Sequence, residues 1–196
     1  RTASAGLTGL EWAVGVPGSV GGAVRMNAGG HGSDMAAVLV EAQVMDLSDG
    51  TQSIRPASSL GLRFRGSDLV DSEVVLSARF SLHVADPAVC EAEIAEIVRW
   101  RREHQPGGQN AGSVFVNPVP GELAAGQVID ELGLRGFRIG SAHVSEKHAN
   151  FIQASENGSA DDVRAVIEAV RARVLEARGI ALRSEVRLVG FPGGSS

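Results

Sequence analysis

Gln105-Pro-Gly-Gly-Gln-Asn-Ala-Gly-Ser-Val-Phe-Val-Asn-Pro118 is the most distinctive segment of this chain. Glycine, proline and asparagine crowd it, yet Val114 and Phe115 sit at its centre. Small residues let a backbone pass close to a ligand. Ser113, between Gly112 and that apolar pair, offers a hydroxyl that could hand a proton to a bound molecule. A plain loop with a turn-capping serine explains the same composition. In both readings the segment is a loop, and a domain boundary falls just before it, near residue 103.

The chain has 196 residues, enough for one large or two small domains. Hydrophobic residues make up 43% and charged ones 21%, an ordinary balance for a globular protein. A net charge of −5 argues against a broad nucleic-acid-binding surface and leaves room for a local basic pocket. Cys90 is the only cysteine, so no intrachain disulfide forms, which fits a reducing compartment. It falls in a helical apolar pattern and reads as packing. No apolar run approaches the ~20 residues that span a membrane, and no signal peptide is visible. The opening Arg1-Thr-Ala-Ser4 has no initiator methionine, so the chain reads as a fragment or a processed piece.

Val38, Val40, Ala42 and Val44 alternate with Leu39, Glu41, Gln43 and Met45, which is strand periodicity. Asp49-Gly50 is a hairpin turn signal, with a return strand over 51–55. A second strand pattern covers 73–84, with Val74, Leu76, Ala78, Phe80 and Leu82 on one face. Asp86-Pro87 opens a helix with apolar positions at Cys90, Ile94, Ile97 and Val98, running to about Arg102. A short helix is expected over 123–132, closed by Gly133. Ser159 caps a longer one with Val163, Val166, Ile167, Val170, Val174 and Leu175 inward, stopped by Gly179. A final half-buried strand covers 182–190. It carries Glu185, a carboxylate that must be paired or have a task, because burying it alone is costly.

Residues 6–32 are glycine-rich, and Pro17-Gly-Ser-Val-Gly-Gly22 gives sharp turns with exposed backbone N–H groups. No Gly-Lys-Ser/Thr follows, and the spacing of a dinucleotide fingerprint is absent. Arg65 lies between Phe64 and Gly66, where a solvated loop charge is the plain alternative. Arg99, Arg101 and Arg102 end the helix that Asp86-Pro87 opens, which suits its dipole. His143 and His148 lack a clear third ligand, so no metal site is expected.

Several segments together resemble one family. Asn110-Ala-Gly-Ser-Val-Phe-Val-Asn-Pro118 is similar to the signature of the UDP-N-acetylenolpyruvoylglucosamine reductases. Gly15-Val-Pro-Gly-Ser-Val-Gly-Gly-Ala23 with Met26-Asn-Ala-Gly29 resembles their flavin-contacting segment. Further matches are Arg65-Gly-Ser67, Ala125-Gly-Gln-Val-Ile-Asp130, Val144-Ser-Glu-Lys-His-Ala-Asn-Phe-Ile152 and Leu182-Arg-Ser-Glu-Val-Arg187. The resemblance implies an α+β chain. Residues 1–103 would be the second, C-terminal part of a two-part FAD-binding domain with a mixed or antiparallel sheet, and 104–196 a smaller α+β substrate-binding domain. It implies FAD and NADPH as cofactors and reduction of the enolpyruvyl group of a UDP-sugar to UDP-N-acetylmuramate, in peptidoglycan synthesis. Gly18, Ser19, Gly21, Gly22 and Asn27 would lie near the FAD. Arg65, Ser113 and Glu185 would be catalytic, with Ser113 the proton donor. Arg101, Asn117, His148 and Asn150 would meet the substrate, and Phe151 would be core.

Phe64, His104 and Val116 depart from the family's usual tyrosine, lysine and lysine, which weakens any polar role at those positions. No extra tyrosine-bearing loop is present, which resembles the shorter of the two family types. The family's preceding segment, with a Gly-Ser-Asn phosphate loop, is missing, so this chain alone is expected to bind FAD poorly. A cytoplasmic monomer is expected, with no nucleic-acid or membrane partner. The alternatives are a non-catalytic sugar-nucleotide-binding module and another flavin-dependent oxidoreductase sharing the FAD domain.

Overall fold

The computed structural model describes residues 1–191. The chain is α+β, with antiparallel sheets and helices, and it divides into two units, Arg1–Trp100 and one that begins at Arg101. The first unit contains β1 (Leu7–Thr8), α1 (Val20–Arg25), β2 (Gly29–Gly30), β3 (Ser33–Asp34), β4 (Leu39–Asp46), β5 (Gln52–Pro56), β6 (Glu73–Phe80), β7 (His83–Val84) and most of α2 (Pro87–His104). The strand order of its largest sheet is β5-β4-β6, and β1 pairs with β7 and β2 with β3.

The β4–β5 hairpin forms as its alternation and turn residues dictate, but two bulges change which side chains face inward. Leu39 pairs with Phe80 and Glu41 with Arg79, so Val40 is an extra residue on β4. Gln43 pairs with Ser77 and Val44 with Val75, so Leu76 is an extra residue on β6. Each bulge shifts the two-residue period by one. Ala42 and Val44 are buried on the expected face, while Val40, expected beside them, is exposed and Leu39, expected opposite, is buried. On β6, Val75 packs against the core and Val74 and Leu76 face outward, the reverse of the expected face there. The expected strand over 73–84 is also interrupted: β6 ends at Phe80 and β7 pairs elsewhere.

The glycine-rich region holds an element that its composition hides. Ser19 accepts the Gly22 N–H at 3.1 Å and caps the short helix α1. A Cβ on Gly21 would lie 3.1 Å from the Val75 carbonyl oxygen, so glycine at 21 is what lets α1 sit against β6. Trp12, Val24, Met35, Leu39, Ala42, Val44, Leu60 and Leu69 form the core of this unit. Cys90 is buried on α2, where burial and the neighbouring Glu11 carboxylate push its thiol pKa up, as suits a packed thiol.

The second unit contains β8 (Gln109–Ser113), α3 (Ala125–Glu131), β9 (Arg138–Ile139), β10 (Ala142–Val144), β11 (Phe151–Ala154) and α4 (Ala160–Arg178). The sheet order is β8-β11-β10-β9, all antiparallel. Ser159 accepts the Asp161 N–H at 3.1 Å to start α4, and Gly179 closes it. Val166, Ile167, Val170 and Val174 are buried beneath it with Val114, Phe115, Val128, Ile129, Val144 and Ile152. Leu175, expected on that stripe, is exposed because it lies one position beyond Val174 around the helix. Two expectations need correction here. The stretch read as a loop contains an edge strand, β8, paired to β11. The expected strand over 182–190 is a single bridge, Phe115 to Ser184. Ser184 Oγ accepts the Val186 N–H at 3.0 Å, and this side-chain bond competes with a continued ladder.

Candidate active site

The first unit offers a cleft of about 400 Å³ lined by Gly29, Gly30, Gly32, Ser33, Asp34, Ala37, Phe64 and Arg65. Arg65 is the charged residue that the sequence singled out, and its placement is unusual. The Gly66 N–H donates to the Arg63 carbonyl at 3.1 Å, and the Arg63 N–H donates to the Gly66 carbonyl at 2.9 Å, so residues 63–66 form a tight turn. Arg65 occupies the third position with φ 54°, a left-handed conformation usually left to glycine. Non-glycine residues held there cost about 1–3 kcal/mol and cluster at functional sites. The Arg65 guanidinium carbon lies 4.7 Å from the Phe64 ring centroid, so the phenylalanine supports the cation with its face.

The glycines 29, 30 and 32, with Ser33 and Asp34, were not assigned to the site from sequence. Their signal was the continuation of the glycine-rich run through Gly29-Gly-His-Gly32 into a hairpin. Asn27, which was assigned, is 4% exposed, and both ends of its amide are engaged within the unit. Its Oδ1 accepts the Ala36 N–H at 2.8 Å and its Nδ2 donates to Asp34 Oδ2 at 3.0 Å. Asn27 therefore ties down the hairpin that lines the cleft. Ser19, Gly21 and Gly22 belong to α1 and its cap, and Gly18 precedes that cap; these four lie outside the cleft lining.

In the second unit the Ser113 segment is built by a bulge. Asn110 pairs with Gln153 and Ser113 with Phe151, so β8 spends one more residue than β11 over this interval. Gly112 supplies the left-handed step, at φ 77°. Asn110 Oδ1 accepts the Gly112 N–H at 2.9 Å and holds the bulge. Ser113 itself is exposed, while Val114 and Phe115 are 1% and 2% exposed. Ser113 thus stands at the rim of a buried base.

The backbone of Glu185 is tied to this base. Its backbone N–H donates to the Val114 carbonyl at 2.8 Å, and its neighbour Ser184 bridges Phe115. Glu185 is half-buried, as expected. Ser113 and Glu185 therefore lie on directly bonded segments although far apart in sequence.

The proposed substrate contacts divide. Asn117 is exposed, and its Oδ1 accepts the Ala125 N–H at 3.1 Å, capping α3. Asn150 is buried, and its amide bonds the Phe115 backbone on both sides. His148 Nδ1 accepts the Asn150 N–H at 3.2 Å, so the neutral ring carries its proton on Nε2 and offers a donor there. Burial first, and Arg135 second, pull the His148 pKa down and favour that neutral form. Gly126 faces this ring: a Cβ there would lie 3.2 Å from His148 Cε1. Arg101 donates to Gln105 Oε1 at 3.1 Å, while its buried Nε has no hydrogen-bond partner. Burial lowers its pKa. Lys147 Nζ donates to the Arg102 carbonyl, and so caps the end of α2. Among the described residues, no group of three or more His, Cys, Asp or Glu side chains is placed to hold a metal. No helix there is long and apolar enough to cross a membrane.

Residues 104–189 match the family model of the UDP-N-acetylenolpyruvoylglucosamine reductase C-terminal domain, and residues 2–54 match an FAD binding domain model. A UDP-N-acetylenolpyruvoylglucosamine reductase from Heliobacterium modesticaldum is 46% identical over 192 residues, which is 97% of this chain and 60% of that protein. One from Chloroflexus aggregans is 41% identical over 96% of this chain and 65% of its own length. The crystal structure of UDP-N-acetylenolpyruvylglucosamine reductase from Thermus caldophilus superposes with a TM-score of 0.82 at 36% identity, covering 94% of this chain and 65% of that one. The chain thus spans 60% and 65% of the length of these two curated relatives.

Proposed function

We propose that this chain, which belongs to the UDP-N-acetylenolpyruvoylglucosamine reductase family, carries the reducing site of an FAD-dependent enzyme. On this reading it converts UDP-N-acetylglucosamine enolpyruvate to UDP-N-acetylmuramate, with NADPH as reductant, in cytoplasmic peptidoglycan synthesis. The observation that carries the proposal is the placement of Ser113, exposed on a buried segment that is hydrogen-bonded to the backbone of Glu185.

The chain's residues fit the cofactor. Gly29, Gly30 and Gly32 leave a wall without side chains against which a flat ring can lie, and Phe64 and Arg65 close the cleft with a ring face and a cation. Asn27 ties down the hairpin that lines this cleft, and Gly18, Ser19, Gly21 and Gly22, outside the lining, would meet other parts of the cofactor. A bound flavin supplies the hydride that the enolpyruvyl group accepts. Arg65 binds the substrate carboxylate and balances the negative charge that builds there, a task suited to a planar, permanently charged guanidinium. Ser113 donates a proton to the carbon beside that carboxylate. A serine hydroxyl is a weak acid, so it donates only to a strongly basic, enolate-like centre held in place by other groups. Glu185 assists beside it. Arg101 and His148 offer donors to the substrate's oxygens, and Asn117 borders the Ser113 segment. The two parts of the chain correspond to the end of a flavin domain, 1–103, and a substrate domain, 104–196. The protein acts as a monomer, and further sequence possessed by its relatives completes the flavin site.

The test is turnover by the protein completed to its relatives' length. NADPH consumption matched by UDP-N-acetylmuramate, identified by mass spectrometry, supports the proposal. NADPH oxidation without a new UDP-sugar would point to a different flavoenzyme. Binding of the enolpyruvyl substrate with no redox chemistry would point to a non-catalytic sugar-nucleotide module.

A further inference from the structure

We propose that Asn150 is a positioning residue that fixes Ser113 through the backbone of Phe115, and that it does not contact substrate through its amide. This rests on the proton-donor reading of Ser113. Asn150 is 5% exposed. Its Oδ1 accepts the Phe115 N–H at 2.9 Å and its Nδ2 donates to the Phe115 carbonyl at 2.8 Å. The Asn150 backbone adds two more ties: its carbonyl accepts the Val114 N–H at 2.8 Å, and its N–H donates to His148 Nδ1 at 3.2 Å.

This arrangement answers a specific need. The β8–β11 ladder ends at the pair Ser113 and Phe151. Beyond it the chain enters the core, where Phe115 is 2% exposed and its N–H and carbonyl must still be bonded. A carboxamide presents one acceptor and a donor side by side, as a neighbouring strand would. Asn150 therefore replaces the missing strand on one side of Phe115. On the other side stand Ser184, which bridges Phe115, and Arg183, whose carbonyl accepts the Val116 N–H at 2.9 Å. Because Glu185 hangs from the Val114 carbonyl, the same amide holds both Ser113 and the Glu185 backbone in register. An aspartate loses the donor, a glutamine is a methylene too long, and a leucine offers neither bond.

Hydrogen exchange in the 196-residue chain tests the clamp. In Asn150→Ala, the Phe115 and Val114 amides should exchange at least ~10-fold faster while the α4 amides are unchanged, as expected for a local opening. Unchanged protection at Phe115 would overturn the proposal. If the alanine variant does not fold, the wild-type chain decides: a Phe115 amide exchanging as fast as exposed loop amides refutes the clamp. In the completed, flavin-loaded protein, Asn150→Ala should slow flavin reoxidation by the enolpyruvyl substrate about 10²-fold, the scale of a misplacement near 1 Å. Flavin reduction by NADPH should stay within about twofold. Raised KM at unchanged maximal reoxidation would mean a direct substrate contact and would overturn the positioning role. If the wild-type flavin is not reoxidised by this substrate, the proposed function fails, and the exchange result still decides whether Asn150 holds the Ser113 segment.

Discussion

Replacing Asn27 separates the two duties that the structure gives it. The residue sits at φ 39° and is 4% exposed. Asn27→Ala removes the bond from the Ala36 N–H and the bond to Asp34. Each is partly buried, and a typical intramolecular hydrogen bond contributes about 1 kcal/mol net. Alanine in the left-handed region adds about 1 kcal/mol of backbone cost. The sum is a loss of about 3 kcal/mol in the first unit. Asn27→Gly loses the same two bonds but not the backbone ease, so its loss should be about 2 kcal/mol. The smaller residue is thus expected to be the more stable replacement. Trp12 and Trp100 are the chain's two tryptophans, and both lie in the first unit. Urea unfolding followed by tryptophan fluorescence therefore reports on that unit. An alanine variant within about 1 kcal/mol of wild type would refute the hydrogen-bond assignment. An alanine variant as stable as the glycine variant would refute the backbone term. Both replacements free the hairpin lining the Arg65 cleft, so flavin affinity in the completed protein should fall with stability.

Three further outcomes follow from the same geometry. His143 and His148 both have pKa values pulled below 6.5, by burial first and then by Arg138 and Arg135 respectively. Between their folded values and 6.5 the unfolded chain binds more protons, so stability is full above pH 6.5 and falls as the pH drops below it. Circular dichroism melts over pH 5–8 check this, and a flat profile down to pH 5 would contradict it. Gly21→Ala puts a Cβ 3.1 Å from the Val75 carbonyl oxygen, which should cost about 1–3 kcal/mol as α1 is pushed off β6; fluorescence-detected urea unfolding reads the loss, and a stabilised variant, as helix propensity alone predicts, would reject the contact. Ser159→Ala removes the acceptor for the Asp161 N–H and should cost about 1 kcal/mol in the second unit, visible as faster exchange in the first turn of α4.

How far the sequence was legible varied with the physics of each element. The caps at Asp86, Ser159 and Gly179 and the stripe from Val166 to Val174 are local signals, and they placed α2 and α4 within a turn. The bulges at Val40 and Leu76 were not legible, because an extra residue on one strand is defined only by its partner's register. Helix α1 was hidden because Gly21 and Gly22 carry poor helix propensity, and the close contact with Val75 that requires Gly21 is tertiary. Within the candidate site, Ser113, Glu185 and Arg65 were found through motif resemblance. Composition left each with a plain alternative. The left-handed backbone of Arg65 and the seating of Asn150 on Phe115 depend on contacts between distant segments, and no spacing rule announces them. Asn150 shows the limit well: its motif suggested a substrate contact, while its burial and paired bonds give it a structural partner.

The most direct measurement is stopped-flow flavin absorbance in the completed protein, comparing wild type with Ser113→Ala in the two half-reactions. Reduction by NADPH should proceed at the wild-type rate, since Ser113 has no part in it. Reoxidation by UDP-N-acetylglucosamine enolpyruvate should slow by about 10²–10⁴-fold, the usual contribution of a positioned general acid. Normal rates in both halves would contradict the proton-donor role of Ser113 and the site built around it.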